Sequence, residues 1–429
     1  MDYVIIIVSL VLFGCGVPVA FAMAMASVFF CVFVADMPLE SVVQRMVGGL
    51  DSFPLLAIPF FLMAGEIMNV GGITNRIFRL ANSLVGHIRG GLAHVMVVAS
   101  MIFAGMCGSS MAEAAGLGKI GITGMKREGY SASFAAAITT NAAVIGPIIP
   151  PSIPFVLYGG MTGVSIGRLF LAGVVPGVLM GLSLMITAYI ISKRRNYPCK
   201  PRASIREVGV SFNHAAPALL TPIIIVGGMM TGIFTPTEAA AIAVLYASVV
   251  ALMYREFRVS KFPKMTVEIG IKTAALLFIV AAATPFGYML AWTQMPMKLI
   301  LFFHSLSKNP FVFLTIINLL ILFLGCFMEG LSTMIILIPL LMPAVKAYQI
   351  DPVHFGVILC VGITIGLVTP PFGMNMFITS AVADVSIEDY TKEAFPLIIT
   401  LIAILFLITY VPWLVVGLPN LLMDVSAAN

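Results

Sequence analysis

Two stretches, GPIIPPSIPF (146–155) and GLVTPPFGMN (366–375), place proline pairs inside long apolar runs. Proline lacks a backbone N–H and collides with the preceding helical turn, so Pro147, Pro150, Pro151, Pro370 and Pro371 must interrupt any helix that carries them. The chemistry on offer is that of unpaired backbone. Free carbonyls hold a hard cation such as Na⁺, and helix N-terminal ends attract carboxylates. Irregular backbone at membrane depth is tolerated only where it is buried in protein or lines a polar cavity. The plain alternative is a kink that only shapes packing.

The elements that must position these breaks are membrane helices. Of the 429 residues 60% are hydrophobic and 10% charged, against roughly 25% charged in a soluble domain. Apolar runs long enough to span a bilayer recur throughout, which makes the chain an all-α polytopic membrane protein. Asp2 stands where a signal peptide carries positive charge and no clear cleavage site follows, so the N-terminus is expected to be retained. The six cysteines and five histidines do not cluster, which gives neither a disulfide framework nor a metal site of that type. No P-loop is present, no catalytic constellation is visible, and the basic residues are confined to short loops. ATP hydrolysis by this chain, enzymatic activity and nucleic-acid binding are therefore not expected.

Those basic loops set the topology. Residues 193–207 carry six Lys/Arg against one acid, and 255–264 four against one, so both are expected in the cytoplasm. Two spans, roughly 214–232 and 236–254, fit between them. The second opens TPTE, a capping box with Thr235 as N-cap, Pro236 at N1 and Glu238 at N3. KREGY (126–130) falls on the same cytoplasmic side.

The chain also repeats itself. At a shift of 220 residues FAGMCGSSM (103–111) falls on FLGCFMEGL (323–331), and IGPIIPP (145–151) on IGLVTPP (365–371). Each half has an amphipathic stretch, two short apolar arms around a polar tip (GSS, 108–110; EGLST, 329–333), and the proline-broken span. Arms of about 14–18 residues reach roughly 21–27 Å, short of the ~30 Å core, which suits a re-entrant hairpin. An odd number of crossings separates 126–130 from its counterpart KAYQIDP (346–352), so the repeats are inverted, a common design of secondary transporters.

At these residues the sequence resembles a known family. GSSMAEAAGLGKIGITGMKREGYSASFAAAITTNAAVIGPIIPPSIPFVLYG (108–159), with GLVTPPFGMNMF (366–377), is similar to the large membrane subunit of tripartite ATP-independent periplasmic (TRAP) transporters, and the similarity covers essentially the whole chain. The resemblance implies an elevator-type scaffold plus transport domain in a bacterial inner membrane. It implies uptake driven by Na⁺, two or more ions, with no organic cofactor. The implied partners are a small four-helix membrane subunit, expected as a separate polypeptide, and a soluble periplasmic binding protein that delivers an organic acid, within surrounding membrane lipid. Sialic acid is the first expectation, a C4-dicarboxylate or keto acid the next. A stand-alone Na⁺/carboxylate symporter is the alternative. An ATP-driven importer permease is weaker, because EAAGLG (113–118) lacks the glycine spacing and the following I-x-L-P of its coupling motif.

The division expected is residues 1–50 as N-terminal membrane helices, and 51–192 as the first inverted repeat, with a hairpin over about 92–124 and a broken helix over about 131–161. Residues 193–264 form basic loops and linking helices. The second repeat covers 265–417, with a hairpin over about 311–345 and a broken helix over about 353–383, and 418–429 form a tail. Na⁺ candidates are Ser109, Ser110, Asn141 and Gly146 in the first half, and Gly330, Ser332, Thr333, Gly366 and Thr369 in the second. Ser110, Ser152 and Asn375 are candidates for substrate contact. The serines at the first tip equally suit helix capping. Glu113 and Glu329 are ionisable groups beside the tips, Glu113 equally suited to the first turn of a helix, and Glu66 is a charge in a scaffold span, placed to pair with a basic residue at the small-subunit interface. The inverted topology has a direct check: in an otherwise cysteine-free variant, a cysteine replacing Lys346 reacts with an impermeant thiol reagent from outside, and one replacing Lys200 does not.

Overall fold

The computed structural model describes residues 3–108, 110–254, 256 and 259–423. Regular structure among the described residues is entirely helical, with twenty α-helices and two 3-10 turns. Eight helices are long and apolar enough to cross a membrane. The N-terminal helices α1 (Val4–Gly14), α2 (Val19–Phe33) and α3 (Glu40–Leu50) are shorter than that.

One group of helices forms a frame. It holds α4 (Ala57–Val70), α5 (Ile73–Val85), α11 (Ile205–Met230), α12 (Pro236–Met253) and α13 (Phe262–Trp292). Here α4 packs on α12, α11 on α12 and α5, and α13 on α2, α3 and α4. The capping box at Thr235 and Glu238 is formed: Oε2 of Glu238 accepts from the Thr235 N–H at 2.8 Å. A second box at Ser204 and Glu207 starts α11 at Ile205, inside what the charge pattern marks as loop. The S-x-x-E spacing starts the helix within a stretch rich in Lys and Arg.

The other helices come in two matched sets. The first is α6 (Gly91–Cys107), α7 (Ser110–Arg127), α8 (Ala132–Ala143), α9 (Ile153–Thr162) and α10 (Ile166–Arg194). After α14 (Met295–Leu306) the order recurs as α15 (Pro310–Phe327), α16 (Gly330–Ala347), α17 (Pro352–Gly366), α18 (Met374–Ala383) and α19 (Ile387–Tyr410), followed by α20 (Trp413–Leu422). α20 thus carries helix beyond 417, where a tail was expected. The caps recur with the helices. Ser131 accepts from Phe134 N–H before α8, and Asp351 from Val353 and His354 N–H before α17. Ser165 and Ser386 cap α10 and α19. Every residue from Phe134 to Ala143 and from Val353 to Gly366 is buried, so α8 and α17 are covered all round, as central helices are.

The short helices after the breaks are exchanged between the two sets. α9 packs on α16 and α17, and α18 packs on α7 and α8. The Tyr158 hydroxyl of α9 donates to the Pro352 carbonyl at 2.7 Å, with its ring against Gly356. Thr140 of α8 and Thr379 of α18 share a hydrogen bond of 2.5 Å, and Lys126 Nζ reaches the Ala383 carbonyl at 3.0 Å. Apolar side chains alone leave helix register loose; each of these polar contacts ties an exchanged helix to one register.

Contacts sort the loops onto two faces. Lys200–Glu128 (2.7 Å), Arg195–Glu393 (2.9 Å), Arg76–Glu256 (2.8 Å) and the Gly90–Pro198 backbone bond gather the basic loops on one. Thr237 to Phe53 (2.8 Å) and Arg168 to Asn420 (2.6 Å) mark the other. Helix α10 runs between them, and its 29 residues span about 44 Å.

Glycine 366 has a reason in packing. A Cβ there would lie 2.5 Å from Cα of Gly325, where α15 and α17 cross backbone to backbone. Gly366→Ala is expected to cost about 1–3 kcal/mol through forced overpacking. A thermal melt of the purified protein, with the surface substitution Gly209→Ala as reference, checks it; an unchanged melting temperature contradicts the close crossing.

Candidate functional site: a cavity between the hairpin tips

Both hairpins end at one cavity of about 590 Å³. Gly108 and Ser110 reach it from the α6–α7 tip, and Glu329, Gly330 and Ser332 from the α15–α16 tip. Pro147 comes from the first break, Ile153 and Pro154 from the start of α9, Cys360, Ile363 and Thr364 from α17, and Leu367 from the residue that ends it. The frame closes it with Leu62 and Glu66 of α4 and with Ile269, Lys272, Leu276 and Ile279 of α13. The tips are held against the breaks of their own halves. Gly108 has φ +57°, and a Cβ would lie 2.9 Å from the Pro151 carbonyl oxygen. That turn needs glycine both for the left-handed backbone and for the approach. Gly330 sits against Ile363 and Leu367.

The two breaks use their backbone differently. Pro150 and Pro151 have no N–H to give to the carbonyls of Gly146 and Pro147. The Ser152 hydroxyl takes the Pro147 carbonyl, while no backbone N–H among the described residues reaches that of Gly146. In the second break the Gly366 carbonyl already accepts from Thr369 N–H (3.0 Å) and that of Leu367 from Asn375 N–H (3.1 Å). Both Pro150–Pro151 and Pro370–Pro371 peptides are cis.

The described first-half ion candidates sit at the start of α7 (Ser110), near the end of α8 (Asn141) and in the break itself (Gly146). Ser110 is buried at the cavity wall. Asn141 donates from Nδ2 to the Ala137 carbonyl (2.8 Å), which leaves its buried Oδ1 without a partner. Gly146 faces the carboxylate of Glu113, which is 1% exposed with neither oxygen hydrogen-bonded. Buried oxygens without partners cost free energy unless a donor or cation satisfies them. Asn141 Oδ1 and the Glu113 carboxylate oxygens are of the ligand type that a hard monovalent cation takes. Ser109 lies outside the described residues.

The second-half candidates are more committed. Oε2 of Glu329 caps α16, accepting from Ser332 N–H at 2.8 Å and Ser332 Oγ at 2.9 Å. Thr333 Oγ1 donates to the Glu329 carbonyl (3.0 Å), and Thr369 Oγ1 to the Ile365 carbonyl (2.7 Å). Gly330 and Ser332 line the cavity; Thr333, Gly366 and Thr369 do not. Of the substrate candidates only Ser110 borders it. Ser152 is fully buried as the N-cap of α9, accepting from Phe155 N–H at 3.3 Å. Asn375 is also fully buried off the cavity wall, and its side-chain amide is unpartnered. Lys272 was missed by sequence reasoning although it stands alone in the apolar run IGIKTAALLFIV (269–280); an isolated ionisable residue in a span is itself a signal.

Paired hairpins and broken helices around a central cavity define a membrane transporter of the helical secondary type. Among solved structures the fold is similar to that of the Alcanivorax borkumensis YdaH transporter, with TM-score 0.65 at 15% identity over 89% of this chain and 90% of that one. Residues 6–414 match the family model of the tripartite ATP-independent periplasmic transporter, DctM component. The chain is 42% identical over 409 residues to the sialic acid TRAP transporter large permease protein SiaM of Vibrio cholerae, covering 95% of this chain and 96% of that protein. It is 44% identical over 371 residues to the C4-dicarboxylate TRAP transporter large permease protein DctM of Pseudomonas aeruginosa, covering 86% and 87%. The chain belongs to the DctM family of TRAP transporter large permeases, and as such is a multi-pass inner-membrane protein.

The Ser152 geometry has a testable consequence. Ser152→Ala removes a cap and a bond to the break, costing about 1 kcal/mol of stability. A thermal melt should fall, while the substrate KM for uptake by the assembled transporter stays unchanged. A raised KM with an unchanged melt would put Ser152 in the substrate path instead.

Proposed function

We propose that this large permease takes up an organic acid in symport with Na⁺, from a periplasmic binding protein and alongside a small four-helix membrane subunit. The observation that carries the reading is the single cavity bordered by both hairpin tips and by residues of both broken helices, with unpartnered oxygens at the first break. Coupling requires the ion and the substrate to stabilise the same closed arrangement. Ser110 shares the cavity wall with the substrate space, and Asn141, Gly146 and Glu113 stand behind it. A cation held there draws the α6–α7 tip onto the break, and the tip in turn shapes the wall that meets the acid.

The moving part in this reading is the pair of interlocked sets, and the frame of α4, α5 and α11–α13 stays with the membrane as an elevator scaffold. The basic loops face the cytoplasm under the positive-inside rule. Relatives named for sialic acid and for C4-dicarboxylates are about equally similar, so the organic acid is proposed as a class. A stand-alone Na⁺/carboxylate symporter differs in one respect: it needs no binding protein.

The test is uptake by the permease reconstituted with its small subunit and binding protein. Replacing external Na⁺ by choline should abolish accumulation, and ATP inside or outside should have no effect. Ser110→Ala and Asn141→Ala should each raise the Na⁺ concentration for half-maximal uptake several-fold, with assembly intact. Accumulation that persists in choline, or an unchanged Na⁺ dependence in both variants, refutes the proposed coupling site; uptake without binding protein favours the symporter.

A further inference from the structure

Among the described residues three acidic or basic side chains border the 590 Å³ cavity: Glu329, Glu66 and Lys272. Glu329 is occupied as the cap of α16. Glu66 and Lys272 are engaged in no hydrogen bond or ion pair among the described residues. Both belong to the frame rather than to the interlocked sets, on α4 and α13, which pack together. Glu66 lies one turn before Val70, where α4 ends near the basic face, and Lys272 about 15 Å into α13 from that same face. A charge in a span is costly, and it is kept where it faces a wet cavity or a partner. Here it faces the cavity. Leu62, Ile269, Leu276 and Ile279 flank the two groups, of which Glu66 is half-buried and Lys272 is exposed.

We propose that Lys272 and Glu66 form the frame's half of the substrate site and select an acid with one carboxylate and several hydroxyls over an acid with two carboxylates. The inference rests on the organic-acid reading above and narrows it. Lys272 is the one cation among the residues bordering the cavity, and its ammonium offers three donors to a carboxylate. Glu66 is acceptor-only when ionised, so it takes hydrogen bonds from hydroxyls and repels a second carboxylate. The α16 N-terminus offsets part of the Glu329 charge, and Glu66 has no such compensation. One cation against one free carboxylate therefore admits a monoanion and penalises a dianion. The cavity volume lies within the usual range for a ligand of sugar-acid size, about 300–1,000 Å³.

The experiment measures affinity by calorimetry on the purified complex of large and small subunits in Na⁺ buffer. The probes are N-acetylneuraminate and gluconate as hydroxylated monocarboxylates and succinate as the dicarboxylate. At least one monocarboxylate should bind the wild type roughly tenfold or more tighter than succinate, and Lys272→Gln should weaken it roughly tenfold or more, the scale of one lost charged hydrogen bond. Lys272→Arg should recover much of that loss. Glu66→Gln should leave the monocarboxylate within a few-fold while succinate gains, closing the gap. Melting curves without ligand establish that each variant is folded, and the near-isosteric Glu66→Gln carries the selectivity arm if Lys272→Gln unfolds. Succinate binding the wild type as tightly as the monocarboxylates, or a gap that Glu66→Gln does not change, overturns the proposal. If none of the three acids binds yet the reconstituted transporter accumulates an organic acid, the selection proposal falls and the transport reading stands. If no organic acid is accumulated at all, both fall.

Discussion

The architecture depends on backbone that cannot close its own hydrogen bonds. In a bilayer every helix must satisfy its N–H and C=O groups internally, and proline removes a donor at five positions within the two breaks, Pro147, Pro150, Pro151, Pro370 and Pro371. Each break is then completed from outside its helix. Ser152 reaches back to the Pro147 carbonyl and Asn375 N–H to that of Leu367. Because the chain no longer runs straight, α9 and α18 leave the helices they would have extended and pack on the opposite set. The exchange binds the two sets into one unit, and Tyr158, Thr140 and Lys126 fix its register with polar contacts across it.

That interlock also builds the cavity. Once α9 lies against α16 and α18 against α7, both hairpin tips converge on the space the breaks leave open. The site is nonetheless asymmetric. The first break keeps unpartnered oxygens on Asn141 and Glu113 and an uncommitted carbonyl on Gly146. In the second, Ser332, Thr333 and Thr369 satisfy their hydroxyls locally, and Gly366 is required by its contact with Gly325. Matched sequence positions are therefore satisfied differently, although the buried Asn375 amide beside the second break is unpartnered too. The frame adds Lys272, which borders the cavity and has no ion pair among the described residues.

The amino-acid sequence by itself determined the membrane class, the repeat and the positions of the breaks. These rest on local physics: an apolar run long enough to span, a proline that cannot donate, a threonine and a glutamate three residues apart that cap α12. Local rules also located the hairpin tips. They left the rest undecided, because a side chain's role depends on what lies across from it. Ser152 and Asn375 read as substrate contacts from their place beside the breaks, yet folding turns both away from the cavity into buried packing. Glu329 reads as a membrane charge, yet the turn of the tip points it at the N–H of Ser332. Gly366 reads as a presented carbonyl, yet a helix from far upstream crosses it at Gly325. Lys272 reads as one lysine in an apolar helix, and only the packing of α13 beside α4 and the tips shows that it looks into the shared space. Which helices meet is settled by contacts between residues tens to hundreds of positions apart, and no local pattern carries that information.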